Sequence, residues 1–279
     1  MTLGNGIDIP DIGFGTWNIP YGEVCEEAVF EAIKAGYRHI DTAGAYGNEK
    51  SVGLGVKAAI NEGLIKDRSD IFITSKLWNT NRSYNKAFKA FEKSMRNLDL
   101  GYIDLYLIHW PANSVRYKNP SRVNAETWTA LEEIYKNKRV KAIGVSNFLP
   151  HHIEELKKTA EILPLVNQIE LHIGYMQEES VKYNLANGIV TEGYSPLGTG
   201  ALLENESLIS VAEKYNVTVS LLCLSFLRQK GIIPLPKTIL PERMKANLRC
   251  IRIDDTDMKI LENIPYIGGH AHNPDEVEF

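Results

Sequence analysis

The chain has few cysteines and no long apolar segment, and both absences limit what it can be. Its 279 residues include only 3 cysteines, none in a Cys-x-x-Cys pair, so the sequence indicates neither a zinc site nor a redox pair. No run approaches the roughly 18 apolar residues of a membrane span. The start, "MTLGNGIDIP", also lacks the basic and apolar segments of a signal peptide. We therefore expect a cytoplasmic protein with no membrane partner.

A large charge imbalance is also absent. The formal net charge is -4, and lysine and arginine form no block, so nucleic acid and anionic membranes are not expected partners. Hydrophobic residues make up 44% and charged residues 24%, which is typical of a globular protein with a large core. No proline- or serine-rich linker divides the chain. We predict a single domain over residues 1–279, a monomer or weak dimer, that binds a small molecule.

What the chain does contain is a repeated alternation of apolar and amphipathic segments. Eight short apolar runs predict strands at residues 12–16, 39–42, 71–76, 103–110, 141–146, 165–170, 189–195 and 231–237. Amphipathic segments predict helices, among them 26–36, 83–98, 126–138 and 241–250. Eight β→α units predict an α/β fold, the (β/α)8 or TIM barrel. Asn5-Gly6 predicts a type I′ β-hairpin before the barrel, and the residues after Gly268 predict an irregular C-terminal tail.

Polar residues occur at or near the carboxyl end of the predicted strands. They are Asp41, Lys76, His109, Ser146, Asn167, Gln168, Ser195 and Lys237. A barrel gathers the carboxyl ends of all its strands on one face, where barrel enzymes place their active sites. One such residue would mean little, but eight in phase predict a shared cavity.

The segment "GLGVKA", residues 53–58, fits the dinucleotide-binding pattern G-x-G-x-x-A. That motif should directly follow a strand and open a helix, but here "YGNEKSV" intervenes, so both glycines are predicted to lie inside the next helix. Close helix packing is the favoured explanation for these glycines. A nicotinamide cofactor, if one binds, would then bind without a Rossmann fold.

Four of the early polar residues form a set that can carry chemistry. An ammonium beside a phenol favours the phenolate, so Lys76 is expected to lower the pKa of Tyr46 and make it a usable proton donor. Asp41 would pair with Lys76 and offset the cost of burying it. An uncharged His109 could donate a hydrogen bond to a substrate carbonyl oxygen. Each residue alone has an ordinary structural role, but together they predict protonation of a carbonyl oxygen while its carbon gains a hydride.

Eight motifs across nearly the whole chain carry a resemblance to a known family. They are "GFGTW" (13–17), "DTAGAYGNE" (41–49), "SKLWN" (75–79), "LIHWP" (107–111), "AIGVSNF" (142–148), "NQIELH" (167–172), "GYSPLG" (193–198) and "PLPKT…PERMKANL" (234–248). The sequence resembles the aldo-keto reductases, in the prokaryotic and yeast-type branch that includes 2,5-diketogluconate and methylglyoxal reductases. The resemblance implies NADPH-dependent reduction of aldehydes and ketones, with Tyr46 as general acid supported by Asp41, Lys76 and His109.

The same resemblance implies a cofactor-binding set. At the nicotinamide end, it implies that Ser146, Asn147 and Gln168 bind the carboxamide and that Tyr194 stacks on the ring. Ser195 and Leu197 would line the pyrophosphate path, and Thr16 and Trp17 would make further cofactor contacts. At the adenosine end, Lys237, Thr238 and Arg243 would bind the 2′-phosphate and Asn247 the adenine. Arginine can bind a phosphate bidentately and lysine as a point charge, which favours NADPH over NADH. The chain departs from many relatives at Ala246, where they carry glutamate.

The substrate end is expected to be aromatic. Trp17, Trp78 and Trp110, with His109, would form its wall, and the loop 112–124 and the tail would set substrate choice. Two other functions stay open: a Schiff-base aldolase that uses Lys76, and a cofactor-sensing subunit without catalysis. His151-His152 and His270-x-His272 lack the supporting carboxylates or cysteines of a metal-site pattern, so these histidines are expected to be solvated and no metal is expected.

Overall fold

The computed structural model describes all 279 residues, and its centre is one sheet of eight parallel strands that pair in chain order. The strands are β1 Phe14–Gly15, β2 His39–Asp41, β3 Phe72–Leu77, β4 Ile103–Ile108, β5 Val140–Ser146, β6 Val166–Glu170, β7 Val190–Tyr194 and β8 Ile233–Leu235. Each lies within or beside one of the eight predicted runs. The predicted (β/α)8 barrel is therefore confirmed.

Ten α-helices surround the strands or follow them. They are α1 Glu23–Ala35, α2 Glu49–Asn61, α3 Tyr84–Leu98, α4 Pro120–Lys136, α5 Pro150–Lys157, α6 Glu178–Ala186, α7 Glu206–Lys214, α8 Val219–Gln229, α9 Pro241–Leu248 and α10 Asp255–Glu262. None of these helices combines the length and apolar character needed to cross a bilayer.

The barrel closes where two prolines, one in β8 and one just after it, face two glycines, one just before β1 and one in it. Proline has no N–H to donate, so Pro234 and Pro236 can only accept, and their carbonyl oxygens take the N–H groups of Gly13 and Gly15 at 3.0 Å each. A Cβ on Gly13 would lie 2.5 Å from the Leu235 side chain and 2.8 Å from the His39 ring, so any larger residue would require these buried side chains to shift. The prolines also explain why β8 is shorter than the predicted run 231–237.

Apolar side chains fill the barrel, and the N-terminal hairpin covers its lower end. Leu3 and Ile9 of the hairpin pack in one cluster with Leu105 and Leu107 of β4. The predicted type I′ turn is wrong, because Gly6 is the only residue of the turn with positive φ (+83°). The Leu3 N–H bonds to the Ile7 carbonyl and the Gly6 N–H to the Leu3 carbonyl, which is the three-residue loop with a left-handed glycine.

One helix begins earlier than the sequence prediction. α4 starts at Pro120 rather than at residue 126, so the end of the predicted loop 112–124 is helical. The Asn119 side chain accepts the N–H of Arg122, and proline occupies the first helical turn, where its missing N–H has no cost. The Asn119-Pro120 pair is a helix-start signal, whereas the apolar periodicity alone placed the start of this helix at residue 126.

The two glycines of the "GLGVKA" segment lie inside α2 and allow close packing, as predicted. A Cβ on Gly53 would lie 2.0 Å from the Leu98 carbonyl oxygen at the end of α3, and one on Gly55 would lie 2.6 Å from the Glu26 carbonyl oxygen of α1. Both obstacles are backbone atoms, which cannot rotate away. These glycines therefore set the spacing between the first three helices.

Gly53→Ala tests this packing. An isolated helix gains about 1 kcal/mol from Gly→Ala, whereas overpacking against fixed backbone costs about 1–3 kcal/mol or more. We expect the free energy of unfolding to fall by about 2 kcal/mol or more in urea denaturation. Leu54→Ala, at a side chain 40% exposed on the same turn, should cost less. A stabilised Gly53→Ala protein would show that the helices are not in contact there.

Candidate active site

The centre of the barrel mouth is a buried ion pair between neighbouring strands. Lys76 of β3 is 1% exposed, and its Nζ donates to both carboxylate oxygens of Asp41 at 2.6 and 2.8 Å. It also donates to the Thr42 carbonyl at 3.0 Å and lies 3.2 Å from the Tyr46 hydroxyl. Burial is the largest single influence and lowers the pKa of Lys76, but the charges and hydrogen bonds of Asp41 and Tyr46 together outweigh it, so the net pKa is raised. The ammonium is therefore permanent at neutral pH.

The pKa of Tyr46 moves in the direction opposite to the sequence prediction. Burial is the largest influence and raises it, and the neighbouring Lys76 ammonium opposes this rise without overcoming it. Asp41, which neutralises much of that ammonium's field, raises the pKa further. The phenol thus holds its proton at neutral pH, with a cation beside the oxygen from which the proton would leave.

His109 completes the predicted group of four. It follows β4, is 8% exposed, and its ring contacts those of Tyr46 and Trp78 edge-on, with centroids 5.7 and 5.1 Å apart. Burial, together with the charges of Lys76 and Arg82, holds the pKa of His109 well below its usual range. Its Nδ1 is buried without a hydrogen-bond partner. A neutral imidazole at the mouth can donate one hydrogen bond and accept another.

The loop after β2 holds Tyr46 in place through buried polar contacts. Tyr46 lies on a 3-10 turn, Gly44–Tyr46, directly before α2. Asn48 is fully buried; its amide donates to the carbonyls of Thr16 and Ile19, and its oxygen accepts from Thr42. The Thr16 hydroxyl in turn donates to the Asp41 carbonyl at 2.9 Å. Thr16 therefore belongs to the hydrogen-bond network that holds Tyr46, and its hydroxyl bonds to the backbone of Asp41.

A second group at the mouth has free positions for a ligand amide. The two N–H donors of Gln168 are both used, on Asp41 at 2.9 Å and on Glu192 at 2.8 Å, which leaves its amide oxygen to accept. Asn147, at φ +61°, donates to the Ser146 hydroxyl and accepts from the half-buried Tyr194 hydroxyl at 2.8 Å. These residues suit a flat ligand that carries a carboxamide. Asn167 does not join them, because it faces outward and bonds to Phe148 and Asn184.

The start of α9 suits a phosphate. Lys237 and Arg243 are exposed and have no acidic partner, and no side chain caps the helix N-terminus. Free N–H groups and nearby cations form an anion site at such a position. Thr238 is 9% exposed, and its hydroxyl accepts the Leu240 N–H at 3.1 Å. The residues present therefore fit the phosphate-bearing end of a dinucleotide.

The remaining predicted cofactor residues lie around the same face. Ser195 and Leu197 follow β7 and are half-buried, with Ser195 at φ +49°. Asn247 is 6% exposed and lies beside the Tyr37 hydroxyl. Trp17 is 54% exposed at the rim. Their contacts with a cofactor stay predictions.

The C-terminal tail supplies an aromatic residue that the sequence prediction missed. Phe279 stacks on Trp78, with centroids 5.3 Å apart, and meets Trp110 edge-on at 5.4 Å. Asn79 donates to the Phe279 carbonyl at 3.1 Å and Asn113 to the Val277 carbonyl at 2.9 Å. No sequence spacing links a residue at position 279 to the third and fourth strands. Phe279 thus joins Trp78 and Trp110, while Trp17 stacks on neither, and the contact of these tryptophans with a substrate stays a prediction.

Glu192 was also missed, although it lies next to the predicted site. It is fully buried in β7, with Oε2 bound to Gln168 and Oε1 unpartnered, 3.7 Å from His39 Nε2. Burial, helped by the Asp41 carboxylate, raises the pKa of Glu192 from 4.5 to about 8. Burial also lowers the pKa of His39 to about 3, so that histidine is neutral. The sequence feature that could have indicated Glu192 is its position inside the predicted strand "IVTEGYS", which is otherwise largely apolar.

Fold and site together define a (β/α)8-barrel protein with a buried charged centre at the carboxyl ends of its strands. A family model for the Aldo/keto reductase family matches residues 11–265. The chain belongs to the aldo/keto reductase family, and it is an oxidoreductase.

Known proteins similar to the chain include bacterial and animal enzymes. A glyoxal reductase of Bacillus subtilis is 42% identical over 281 residues, covering 100% of this chain and 97% of the relative. A crystallised aldo-keto reductase from a Medee basin deep-sea metagenome library has a TM-score of 0.93 and 37% identity, with 100% of both chains covered. A Bombyx mori aldo-keto reductase in complex with NADP has a TM-score of 0.85 and 33% identity, covering 94% of this chain and 91% of that one. Bacterial relatives agree with the branch expected from the sequence.

Glu192→Gln tests the buried carboxyl. Because the folded state raises the pKa of Glu192 above its ordinary 4.5, its contribution to stability is full below that pH, declines as pH rises, and is lost once pH passes about 8. The free energy of unfolding of the native protein, relative to Glu192→Gln, should fall by about 5 kcal/mol at most across this window. Urea denaturation at several pH values measures it.

The exposed Glu213→Gln on α7 is the matched control for this experiment. Its difference from the native protein should not change with pH, because this side chain lies in solvent in the folded chain as it does in the unfolded one. Parallel pH curves for native protein and Glu192→Gln would contradict a raised pKa at Glu192.

Proposed function

We propose that this protein reduces aldehydes and ketones to alcohols with NADPH, with Tyr46 as general acid. The observation that carries the proposal is the Tyr46 hydroxyl 3.2 Å from the buried Lys76 ammonium, which Asp41 holds in place. Neutral His109 beside it, the Gln168 and Asn147 amides, and the unpaired cations near α9 support a carbonyl site next to a dinucleotide site. A similar structure that holds NADP supports the choice of cofactor.

NADPH bound in this cleft supplies the hydride. His109, kept neutral by burial, donates a hydrogen bond to the carbonyl oxygen and orients it towards Tyr46. Tyr46 keeps its proton until the oxygen gains negative charge, and then transfers it. The Lys76 ammonium stabilises the phenolate that remains, and Asp41 prevents that ammonium from moving or losing its proton. Trp78, Trp110 and the tail limit the entry of water.

Small carbonyl compounds are the proposed substrates. The relative named a glyoxal reductase supports dicarbonyl compounds of that size. The aromatic wall of Trp78, Trp110 and Phe279 also offers apolar surface for an aryl aldehyde. We further propose a cytoplasmic protein, because its cysteines are all free thiols, as a reducing compartment keeps them, and a monomer or weak dimer.

A Schiff-base aldolase fits the site poorly. Nucleophilic attack needs a neutral amine, but Asp41 raises the pKa of Lys76, and the Nζ already has four oxygen neighbours. Borohydride should therefore trap no substrate on Lys76. A cofactor sensor would bind NADPH in the same way but reduce nothing.

Tyr46→Phe tests the general acid. The native protein should oxidise NADPH in the presence of glyoxal, methylglyoxal, a nitrobenzaldehyde or a 2-ketoester, followed by near-ultraviolet absorbance. Loss of the proton donor should lower kcat by about 100-fold or more while NADPH binding changes little. Tyr84→Phe, at a phenol that bonds Glu133 on the outer helices, should be nearly unchanged.

Two results would count against the proposal. Retained turnover in Tyr46→Phe would remove Tyr46 as the acid. NADPH binding by the native protein with none of the carbonyl compounds reduced would favour the sensor instead.

Arg243→Ala tests the phosphate site. A cation that binds the 2′-phosphate acts on NADPH and not on NADH, and a lost charge-assisted contact costs about 1.5–3 kcal/mol. We expect the Kd for NADPH to rise about tenfold or more, with little change for NADH, in fluorescence titrations. Lys245→Ala, an exposed cation on the last turn of the same helix, is the control. Equal losses for the two cofactors would contradict the assignment.

A further inference from the structure

Two groups of histidine and carboxylate side chains lie beside the tail. Of the four histidines expected to be solvated, His151, His270 and His272 are exposed, and only His152 is buried. One group contains His151, His152 and Asp275, and the other contains Glu170, His172 and His270. In each, the nitrogen and oxygen atoms lie within 4.8 Å of one another. The two groups differ in which ring nitrogen of their buried histidine, His152 or His172, carries the proton.

In the second group, the backbone requires a proton on Nδ1 of His172, so a ring with a single proton carries it there. This nitrogen lies 2.9 Å from the Ile173 carbonyl oxygen, which can only accept, so Nδ1 must be the donor. Nε2 then carries a lone pair. His172 is fully buried, and its Nε2 has no hydrogen-bond partner. A backbone carbonyl that fixes the tautomer in this way is the usual support of a metal-binding histidine.

The atom that faces this lone pair is a carboxylate oxygen. Glu170, 2% exposed, places Oε1 3.8 Å from His172 Nε2. Two acceptors at that distance in a buried place repel each other unless a positive charge lies between them, either a proton or a metal ion. A metal with bonds of about 2.1 Å to each atom spans up to about 4.2 Å, so the separation is within reach.

The position of His270 favours a metal ion over a proton between His172 Nε2 and Glu170 Oε1. A proton on Nε2 needs one acceptor, which Glu170 provides, and gives no reason for a third ligand type at the same point. The exposed His270 ring nevertheless lies with its centroid 5.8 Å from that of His172, tilted by 38°, and a Cβ on Gly198 would be 3.6 Å from both His172 Cε1 and His270 Nε2. We propose that Glu170, His172 and His270 bind a divalent metal of the zinc class, for which two imidazoles and a carboxylate are suitable ligands.

The first group lacks this property and serves as an internal comparison. His152 Nδ1 accepts the Leu149 N–H at 3.1 Å at the start of α5, so the proton must be on Nε2, which donates to Asp275 at 3.0 Å. Binding a metal there would break the helix cap. Similar composition thus gives a hydrogen-bonded contact in one place and a metal site in the other.

A metal at this position would fasten the tail to the barrel. Glu170 already accepts the N–H groups of His270 and Ala271 at 2.8 Å each, so strand β6 and the tail meet at the proposed site. A bond from the metal to His270 adds a side-chain link to these backbone contacts. The tail residues beyond it carry Phe279 to the aromatic wall.

Isothermal titration calorimetry of the full chain, free of any affinity tag and stripped with a chelator, tests the site. Zinc should bind with one equivalent per chain, and magnesium, which prefers oxygen ligands, should not. His270→Ala removes an exposed ligand without disturbing the core and should weaken zinc at least about tenfold. His272→Ala, two residues further along the tail, and His151→Ala, in the first group, should stay within about twofold of the native affinity.

Hydrogen exchange gives an independent readout. Zinc should slow exchange of tail amides after Gly268 in the native chain and not in His270→Ala, because only a bound metal links the tail side chain to β6. Absence of saturable zinc binding would mean that a proton occupies the gap between His172 and Glu170, and would overturn the proposal. Equal zinc affinity in the native protein and His270→Ala would overturn it as well.

Discussion

The buried contact between Lys76 and Asp41 is the constraint on which the rest of the site depends. An ammonium that is 1% exposed is tolerated only where its hydrogen bonds are satisfied and its charge is paired. Asp41 supplies both carboxylate oxygens, and the Thr42 carbonyl supplies another acceptor. These partners lie on adjacent parallel strands, so the barrel must form before the lysine can be buried. The remaining contact of the ammonium is the Tyr46 hydroxyl, the one of its oxygen partners that carries a proton of its own.

The single charge pair also explains why its titratable neighbours are neutral. The Lys76 cation adds to burial in lowering the pKa of His109, and the Asp41 anion adds to burial in raising the pKa of Glu192. Gln168 joins the two carboxyl groups through its two N–H donors, so Glu192 orients the same amide whose oxygen is left for a ligand. One ion pair inside a low-dielectric barrel thereby lies beside a protonated phenol, a neutral imidazole and an amide with its oxygen unoccupied.

Sequence reasoning identified the features that strand position determines and missed those that side-chain direction determines. The eight strands and the group around Lys76 were predictable, because each residue lies where an apolar run ends. The same reasoning could not show which of two adjacent strand residues faces the site, because side chains alternate along a strand. Gln168 faces the mouth, whereas Asn167 faces the outer helices. The pKa of Tyr46 was predicted in the wrong direction, because only the structure shows how deeply the phenol is buried. Contacts of the tail with β6 and α5 have no local pattern that could have indicated them.

The barrel holds the tail mostly through the backbone atoms of the tail, so most side chains of the tail can vary. Asn79 and Asn113 bind tail carbonyl oxygens, and Glu170 binds tail N–H groups, so these barrel residues fix the path of the tail regardless of most of its side chains. The side chain at position 279 can then change without loss of docking, and with it the surface opposite Trp78. His270 differs, since its backbone N–H and its imidazole both meet β6 residues. A barrel that fixes the path of a segment and leaves its side chains free separates stability from substrate choice, as loops at the mouth of this fold generally do.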